Sequence, residues 1–488
     1  MPGHTGTRHR GWPEALQVEA ETGLSLDGCD LGALARERGT PLWAISRSTV
    51  EANYRSLDSA FRARWPRFEI AYSMKTNDSL AVVRLMHGLG ARLDCSGAYE
   101  LQAALQAGVP ASDAIVNGAG KSDDALRLAA MLGVRQVNVD SPGEALRLDR
   151  IAGELGVRVP CAVRVILGHA PLLAIDPSYE RSLRAADKHG SDLVSGQAFE
   201  AVEAVLGATS LDLVGLHHHV VFPGYLSDYS AERAIAQHEE SARELAAFAN
   251  EVRRRTGVTI DRLNLGGGIR AGASINIAPP GAPGESAWLD LPAADDFART
   301  ICAALEETLE QDELPLVQLE SGSHHVWNAV VLLATVSEVN DASRRDEPPR
   351  RYVYLDASTM MFMSRGGMRM AHPAVPVERP LAAPDPAWPV DLVGQTCMND
   401  TIAEGIALPR LEPGEVVALL HQGAYCETLS TQVNSVPRPE VVLLDRGRAT
   451  VVRRRETLAD VHARDIIPPE LWHGGHGSRP PEEGADTA

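Results

Sequence analysis

Short apolar runs return along this chain at regular intervals, and most are separated by stretches rich in Ala, Leu and Glu. The runs are "FEIAYSMK", "ARLDCSG", "AIVNG", "QVNVD", "CAVRVIL", "LVGLHHHVV" and "RLNLGGG", with "AYELQAALQAG" and "SDDALRLAAMLG" among the segments between them. Strand-length apolar runs alternating with helical patterns indicate a parallel α/β fold. The number of units suits an eight-stranded barrel, a (β/α)8 or TIM barrel, better than an open sheet. Past about residue 312 the pattern changes to "VVLLATVSEV", "RYVYLDAS", "EVVALLH" and "EVVLLD", with prolines between them and few helical segments. That change reads as a second, mostly antiparallel β-domain. The expected layout is an N-terminal segment 1–42 packing with the β-domain, a barrel 43–311, the β-domain 312–470 and a disordered tail 471–488.

Composition narrows the partners. A formal charge of −19 argues against nucleic acid, because phosphate backbones need a basic face. No apolar run approaches a membrane span, and "MPGHTGTRHRGWPEA" lacks the apolar core of a secretory signal, so a cytoplasmic protein without membrane contact is expected. The six cysteines, at 29, 95, 161, 302, 397 and 426, contain no C-x-x-C pair, which points to neither a disulfide framework nor a zinc knuckle.

Several residues stand where barrel chemistry would be placed. In "FEIAYSMKTND", Phe68, Ile70, Tyr72 and Met74 alternate with Glu69, Ala71, Ser73 and Lys75, which is strand spacing. Lys75 then projects from the strand's carboxyl end, and Asn77 or Asp78 can cap the following helix. A lysine there is a candidate nucleophile or carbonyl-attacking amine; a packed stem with its head in water is the plainer reading. "LNLGGGIR" sets Gly266, Gly267 and Gly268 directly after a strand, where bare backbone amides can meet a phosphate. No helix pattern follows, so a dinucleotide fold is not indicated. "GLHHHVV" puts His217 and His219 on one strand face with His218 on the other, a spacing that could hold a metal. "QLESGSHHV" buries Glu320 at a strand end, where it requires a positive or hydrogen-bonding partner. "VGQTCMND" carries Cys397 and Asp400, and "LLHQGAYCE" places Tyr425 after a glycine turn.

The order of these segments resembles the fold-type III pyridoxal-phosphate decarboxylases, the family of diaminopimelate and ornithine decarboxylases, over about residues 40–440. "AYSMKTND" is similar to the family's "YAVKAN" motif, "DKHGSD" to its "KFG" segment and "LNLGGGI" to its phosphate loop. "VGQTCMND" resembles "GPxCxxxD", and "QGAYCETLSTQVNSVPRP" resembles "GAYxxxxxxxxNxxPRP". The resemblance implies an alanine racemase-like TIM barrel with pyridoxal 5'-phosphate as cofactor and a small-molecule amino acid as substrate. It implies that Lys75 holds the cofactor's aldehyde covalently and that Asp94 belongs to the cofactor site. His219 would stack on the pyridine ring, Glu320 would pair with its nitrogen, and Gly266, Gly267, Gly268 and Tyr425 would hold the phosphate. Cys397, with Asp400 near it, would return a proton to the α-carbon from the partner subunit of a homodimer.

The chain also departs from the family pattern. His219, Val220, Val221 and Phe222 stand for H-x-G-S, and Glu320, Ser321, Gly322 and Ser323 stand for E-P-G-R. Arg365 or Arg369 only approximates the Arg-Pro-x-x-Tyr element, and Met398 follows Cys397 where an acidic residue is expected. Arg365, Met398 and Ser323 are therefore the candidate substrate positions. The expected reaction is decarboxylation at an amino acid α-carbon, with a substrate other than diaminopimelate or ornithine. Overall the chain looks closest to a divergent, Y4yA-like branch. A racemase, a metal-dependent barrel hydrolase using His217 and His219, and a pyridoxal-phosphate protein of low activity are the alternatives; no metal is assigned.

Overall fold

The computed structural model describes residues 11–19, 23–180, 188–220, 230–272, 274–277, 287–310, 313–343, 349–362, 372–469 and 471. Eight parallel strands form its centre: β1 Phe68–Ser73, β2 Arg92–Cys95, β3 Ala114–Val116, β4 Gln136–Val139, β5 Val159–Ile166, β6 Leu211–His217, β7 Arg262–Asn264 and β8 Leu316–Leu319. Each pairs with the next, β4 pairs with β5, and β8 returns to β1, so the sheet closes on itself.

Strand β1 shows how the sequence produces the barrel. All six of its residues are buried, because helices cover one face and the lumen the other. Phe68 faces outward and stacks on Phe61 of helix 47–62, with ring centroids 4.7 Å apart. The alternate set, Glu69, Ala71 and Ser73, belongs to the opposite face of the strand. The helices between strands carry their own start and stop signals. Helix Pro142–Leu155 begins at Ser141, whose hydroxyl accepts the Glu144 N–H at 3.1 Å, has proline in its first turn and ends at left-handed Gly156.

The second domain is a sheet built around the long strand Val330–Ala342, which pairs antiparallel with Leu42–Ser46, Arg350–Leu355 and Val416–Leu419. Two pairings are parallel: Arg350–Leu355 with Val390–Val393, and Glu440–Asp445 with Leu42–Ser46. The Leu24 N–H donates to the Val377 carbonyl at 2.8 Å, tying strand Gly23–Leu26, which pairs antiparallel with Leu16–Glu19, to this sheet.

Two strands lie across the boundaries expected from the sequence. Leu42–Ser46, all but its first residue on the barrel side of a boundary at 43, sits in the second sheet, and Leu316–Leu319, beyond a boundary at 312, is the eighth barrel strand. Four or five apolar residues fit either sheet, and only their long-range pairing decides. The helix after Lys75 also starts later than Asn77 or Asp78 would set it, with Ser79 as its N-terminal flank and Leu80–Gly88 as its span. Asn77 accepts the Ser79 N–H and donates to the Gly423 carbonyl of the β-domain, while Asp78 pairs with Arg453. Both residues are taken up by contacts across the domain junction, which the local sequence does not show. The tail from 472 lies outside the described residues.

Candidate active site

The carboxyl ends of the barrel strands surround a cavity of about 520 Å³ lined by Lys75, Asn117, Arg164, Lys188, His189, His219 and Glu320, among others. Lys75 follows β1 in a single tight turn, Met74–Thr76, and its Nζ lies 3.8 Å from Asp94 Oδ2 at the end of β2. The lysine side chain keeps 39% of its surface exposed while Asp94 is fully buried, so the amine faces the cavity with an anion behind it. Asp94 also accepts from Ser73 Oγ and, at 2.6 Å, from Asn117 Nδ2.

Glu320, immediately after β8, is 3% exposed and is surrounded by donors. Its Oε1 accepts from Asn117 Nδ2 at 2.6 Å and from Asn264 Nδ2 at 2.9 Å. His217 Nε2 lies 3.2 Å from the same oxygen, and His219 Nδ1 lies 3.4 Å from Oε2. Burial alone would push this carboxyl up; the imidazoles of His217 and His219 outweigh it and hold Glu320 well below the usual carboxylate range. Asp94 moves the other way, raised by burial and then by the charge of Glu320. Burial takes the His219 imidazole down to about 3, so it is neutral at physiological pH. Its Nδ1 lies between the Gly267 N–H at 3.2 Å and Glu320, and can accept from the first or donate to the second, not both. His218 points away and meets the Val165 carbonyl.

The glycine turn beside His219 has no room for side chains. A Cβ on Gly266 would come 2.4 Å from the His218 carbonyl oxygen, one on Gly268 2.4 Å from that of Val220, and both residues have positive φ. Glycine is required at both. From the β-domain, left-handed Tyr425 donates its N–H to the Thr76 carbonyl at 2.9 Å, one residue from Lys75.

The remaining candidates are placed unequally. Ser323 opens the short helix Ser323–Val326 and is half-buried; Gly322 before it packs against Thr76 and Ser73. Cys397 is exposed, with Asn434 the partner of its sulfur at 3.4 Å, and Met398 is 52% exposed. Neither lines the cavity of its own chain. Asp400, expected near Cys397, has both carboxylate oxygens engaged: Oδ1 accepts from Thr359 N and Oγ1, and Oδ2 from Thr396 N and Oγ1. Both oxygens are saturated by these bonds, which fold the loop that carries Cys397. Arg365 lies outside the described residues.

Asn117, Asn264 and Arg164 were not singled out from the sequence. Asn117 and Asn264 follow or interrupt apolar runs in "AIVNG" and "RLNLGGG", and Arg164 interrupts "CAVRVIL"; a polar residue in or at the end of a buried strand is the signal that could have found them.

His217, His219 and Glu320 bring three ligand atoms within 4.8 Å of one another, a grouping that would suit a cation. Comparison with known proteins gives the family. Residues 47–326 match the family model described as pyridoxal-dependent decarboxylase, pyridoxal binding domain. The chain belongs to that family. Diaminopimelate decarboxylase of Methanothermobacter thermautotrophicus is 30% identical over 93% of this chain and 98% of its own length. That of Actinosynnema pretiosum is 32% identical over 93% and 95%. The crystal structure of diaminopimelate decarboxylase from M. jannaschii in co-complex with L-lysine superposes with a TM-score of 0.80 at 26% identity, over 95% of this chain and all of that one.

This protein is therefore a pyridoxal-phosphate-dependent amino acid decarboxylase with a TIM barrel and a mostly antiparallel β-domain. Its residues fit the cofactor: a cavity-facing amine for the aldehyde, a buried ionised carboxylate for the ring nitrogen, and a side-chain-free turn whose amides can meet a phosphate. Among the described residues no helix is long and apolar enough to cross a membrane.

Proposed function

We propose that Lys75 is the cofactor-bearing lysine, that Glu320 pairs with the cofactor's ring nitrogen while His219 stacks on the ring, and that Gly266, Gly267, Gly268 and Tyr425 hold its phosphate. The observation that carries this reading is the convergence of Lys75, His219 and Glu320 from three strand ends on one cavity, with buried Asp94 behind the lysine. Pyridoxal phosphate, when bound, supplies the electron sink that accepts the pair released as CO2 leaves. The protein's own residues set the conditions. Asp94 stands 3.8 Å behind the Lys75 amine, the anionic Glu320 favours a protonated ring nitrogen, and buried neutral His219 presents an uncharged face.

The enzyme acts as a homodimer with shared sites in this reading. Cys397 is exposed and absent from its own chain's cavity lining, which suits an acid delivered to the cavity of the partner subunit. Asp400 acts through Cys397, by holding its loop on Thr359 and Thr396.

The substrate in this reading is an amino acid other than diaminopimelate or ornithine, because Ser323 and Met398 offer no charge to a distal carboxylate or amine. A second reading, diaminopimelate itself, is favoured by the name its relatives carry and by Arg164 and Lys188 in the cavity wall, which suit a carboxylate. Carbon dioxide release across a panel of amino acids that includes diaminopimelate, ornithine and apolar α-amino acids decides between them. The first reading expects diaminopimelate to be turned over more slowly than an uncharged substrate, with Ser323→Arg moving the preference toward distal carboxylates. Diaminopimelate as the best substrate refutes it.

A further inference from the structure

The barrel lumen is polar along a continuous line. Arg262 NH1 donates to Gln136 Oε1 at 3.2 Å, Gln136 Nε2 to Asn138 Oδ1 at 2.6 Å, and Asn138 Nδ2 to Asn117 Oδ1 at 2.7 Å. Asn117 Nδ2 then donates to both Asp94 Oδ1 and Glu320 Oε1, each at 2.6 Å. Gln136 and Asn138 are two apart on β4 and share its inner face, and with Asn117 they are 0%, 0% and 4% exposed.

The two ends dictate the orientation of every amide between them. A guanidinium can only donate and an ionised carboxylate can only accept, so each amide must present its oxygen toward Arg262 and its nitrogen toward the carboxylates. The result is a row of aligned amide dipoles with its positive end on the paired acids. Asn117 is the only link between the row and those acids among the described residues, and its two N–H groups stand between two carboxylates that would otherwise repel.

We propose that Asn117 is a positioning residue for the protein's two carboxylates at the cofactor site, holding Asp94 behind Lys75 and Glu320 at its proposed place for the ring nitrogen as one fixed pair, with Asn138 and Gln136 fixing its own orientation. The inference rests on the roles proposed above for Asp94 and Glu320. It differs from them in assigning the geometry of the pair to a third residue, which acts through the two carboxylates.

The test uses the full-length enzyme and two readouts besides turnover: the dissociation constant of pyridoxal phosphate and the absorbance spectrum of the bound cofactor at one neutral pH. Asn117→Leu should weaken cofactor binding by about tenfold or more, the scale of a hydrogen bond to a charged group, and displace the bound spectrum. Asn138→Leu should do the same to a smaller degree. Because the two act in series, the double variant should be no worse than Asn117→Leu alone. A purely structural asparagine would lower the melting temperature and leave the spectrum in place. Wild-type affinity and spectrum in Asn117→Leu, or additive losses in the double variant, overturn the proposal. If Asn117→Leu does not fold, Asn138→Leu decides alone, and an unchanged spectrum overturns it. Glu320→Gln serves as reference: a spectrum that moves with Glu320→Gln but not with Asn117→Leu refutes this inference only, whereas one indifferent to Glu320→Gln refutes the role of Glu320 and this inference with it.

Discussion

Replacing Glu320 with glutamine separates the charge of this residue from its structural place. The side chain can keep its position: a glutamine carbonyl at Oε1 still accepts from Asn117 and Asn264, and its NH2 at Oε2 faces His219 Nδ1, which can accept. What disappears is the charge. Two hydrogen bonds fall from the charged class, about 1.5–3 kcal/mol each, to the neutral class, about 0.5–1.5, a loss of about 2 kcal/mol. No longer holding a carboxylate away from water offsets part of that loss. The melting temperature should therefore fall by only a few degrees. Catalysis should suffer far more. An oriented charge in a water-poor site contributes about 3–4 kcal/mol to the transition state, so kcat/KM for CO2 release should drop about 10²- to 10³-fold. Parallel thermal melts and steady-state kinetics on the loaded enzyme give both numbers. A glutamine variant with kcat/KM within about threefold of wild type, whatever its melting temperature, would refute the electrostatic role, since the geometry is retained and only the charge is gone.

Other expectations follow from the same geometry. Lys75→Ala should abolish the borohydride-fixed cofactor adduct seen by peptide mass analysis, and an undiminished adduct would place the linkage on another lysine. Cys397→Ala should lower kcat about 10²-fold or more while the cofactor dissociation constant stays unchanged, as expected for loss of a proton donor; full activity removes the cysteine from that role. Glu100 accepts the Ser96 N–H at 2.6 Å, and burial lifts its carboxyl to about 7 from an ordinary 4.5. Its folded-state pKa is raised, so between those values the folded chain holds a proton that the unfolded chain has lost, and stability falls as pH rises from about 4.5 to about 7. Glu100→Gln should flatten that decline in denaturant melts run at several pH values; an identical pH slope in the variant contradicts the assignment.

Legibility in the sequence followed the range of the interaction. The Lys75 turn could be read because alternation along β1 and the polar Thr76–Asn77–Asp78 after it are local signals. The glycine turn was equally plain, and its rejection as a dinucleotide motif holds: a short hairpin, Ile275–Ile277 with Ala287–Leu289, follows where a helix would be needed. Glu320 was legible as a buried acid in need of a partner, but not as the acid that His217 and His219 would meet, since those residues lie about a hundred positions upstream. The partners of Asp400 were hidden for a related reason. A carboxylate near a cysteine in sequence looks catalytic until Thr359 and Thr396 are seen to occupy both its oxygens.

The amino-acid sequence alone determined the class of fold, since strand and helix periodicities are set by neighbours a few residues apart, and the family resemblance led to the cofactor. Only the tertiary structure decided which strand closed the barrel, which capping residues were diverted to the domain junction, and which amides settled between Asp94 and Glu320. Those choices depend on hydrogen bonds between residues far apart in the chain. A side chain's own segment specifies what it can donate or accept, but the folded arrangement determines which groups come within reach.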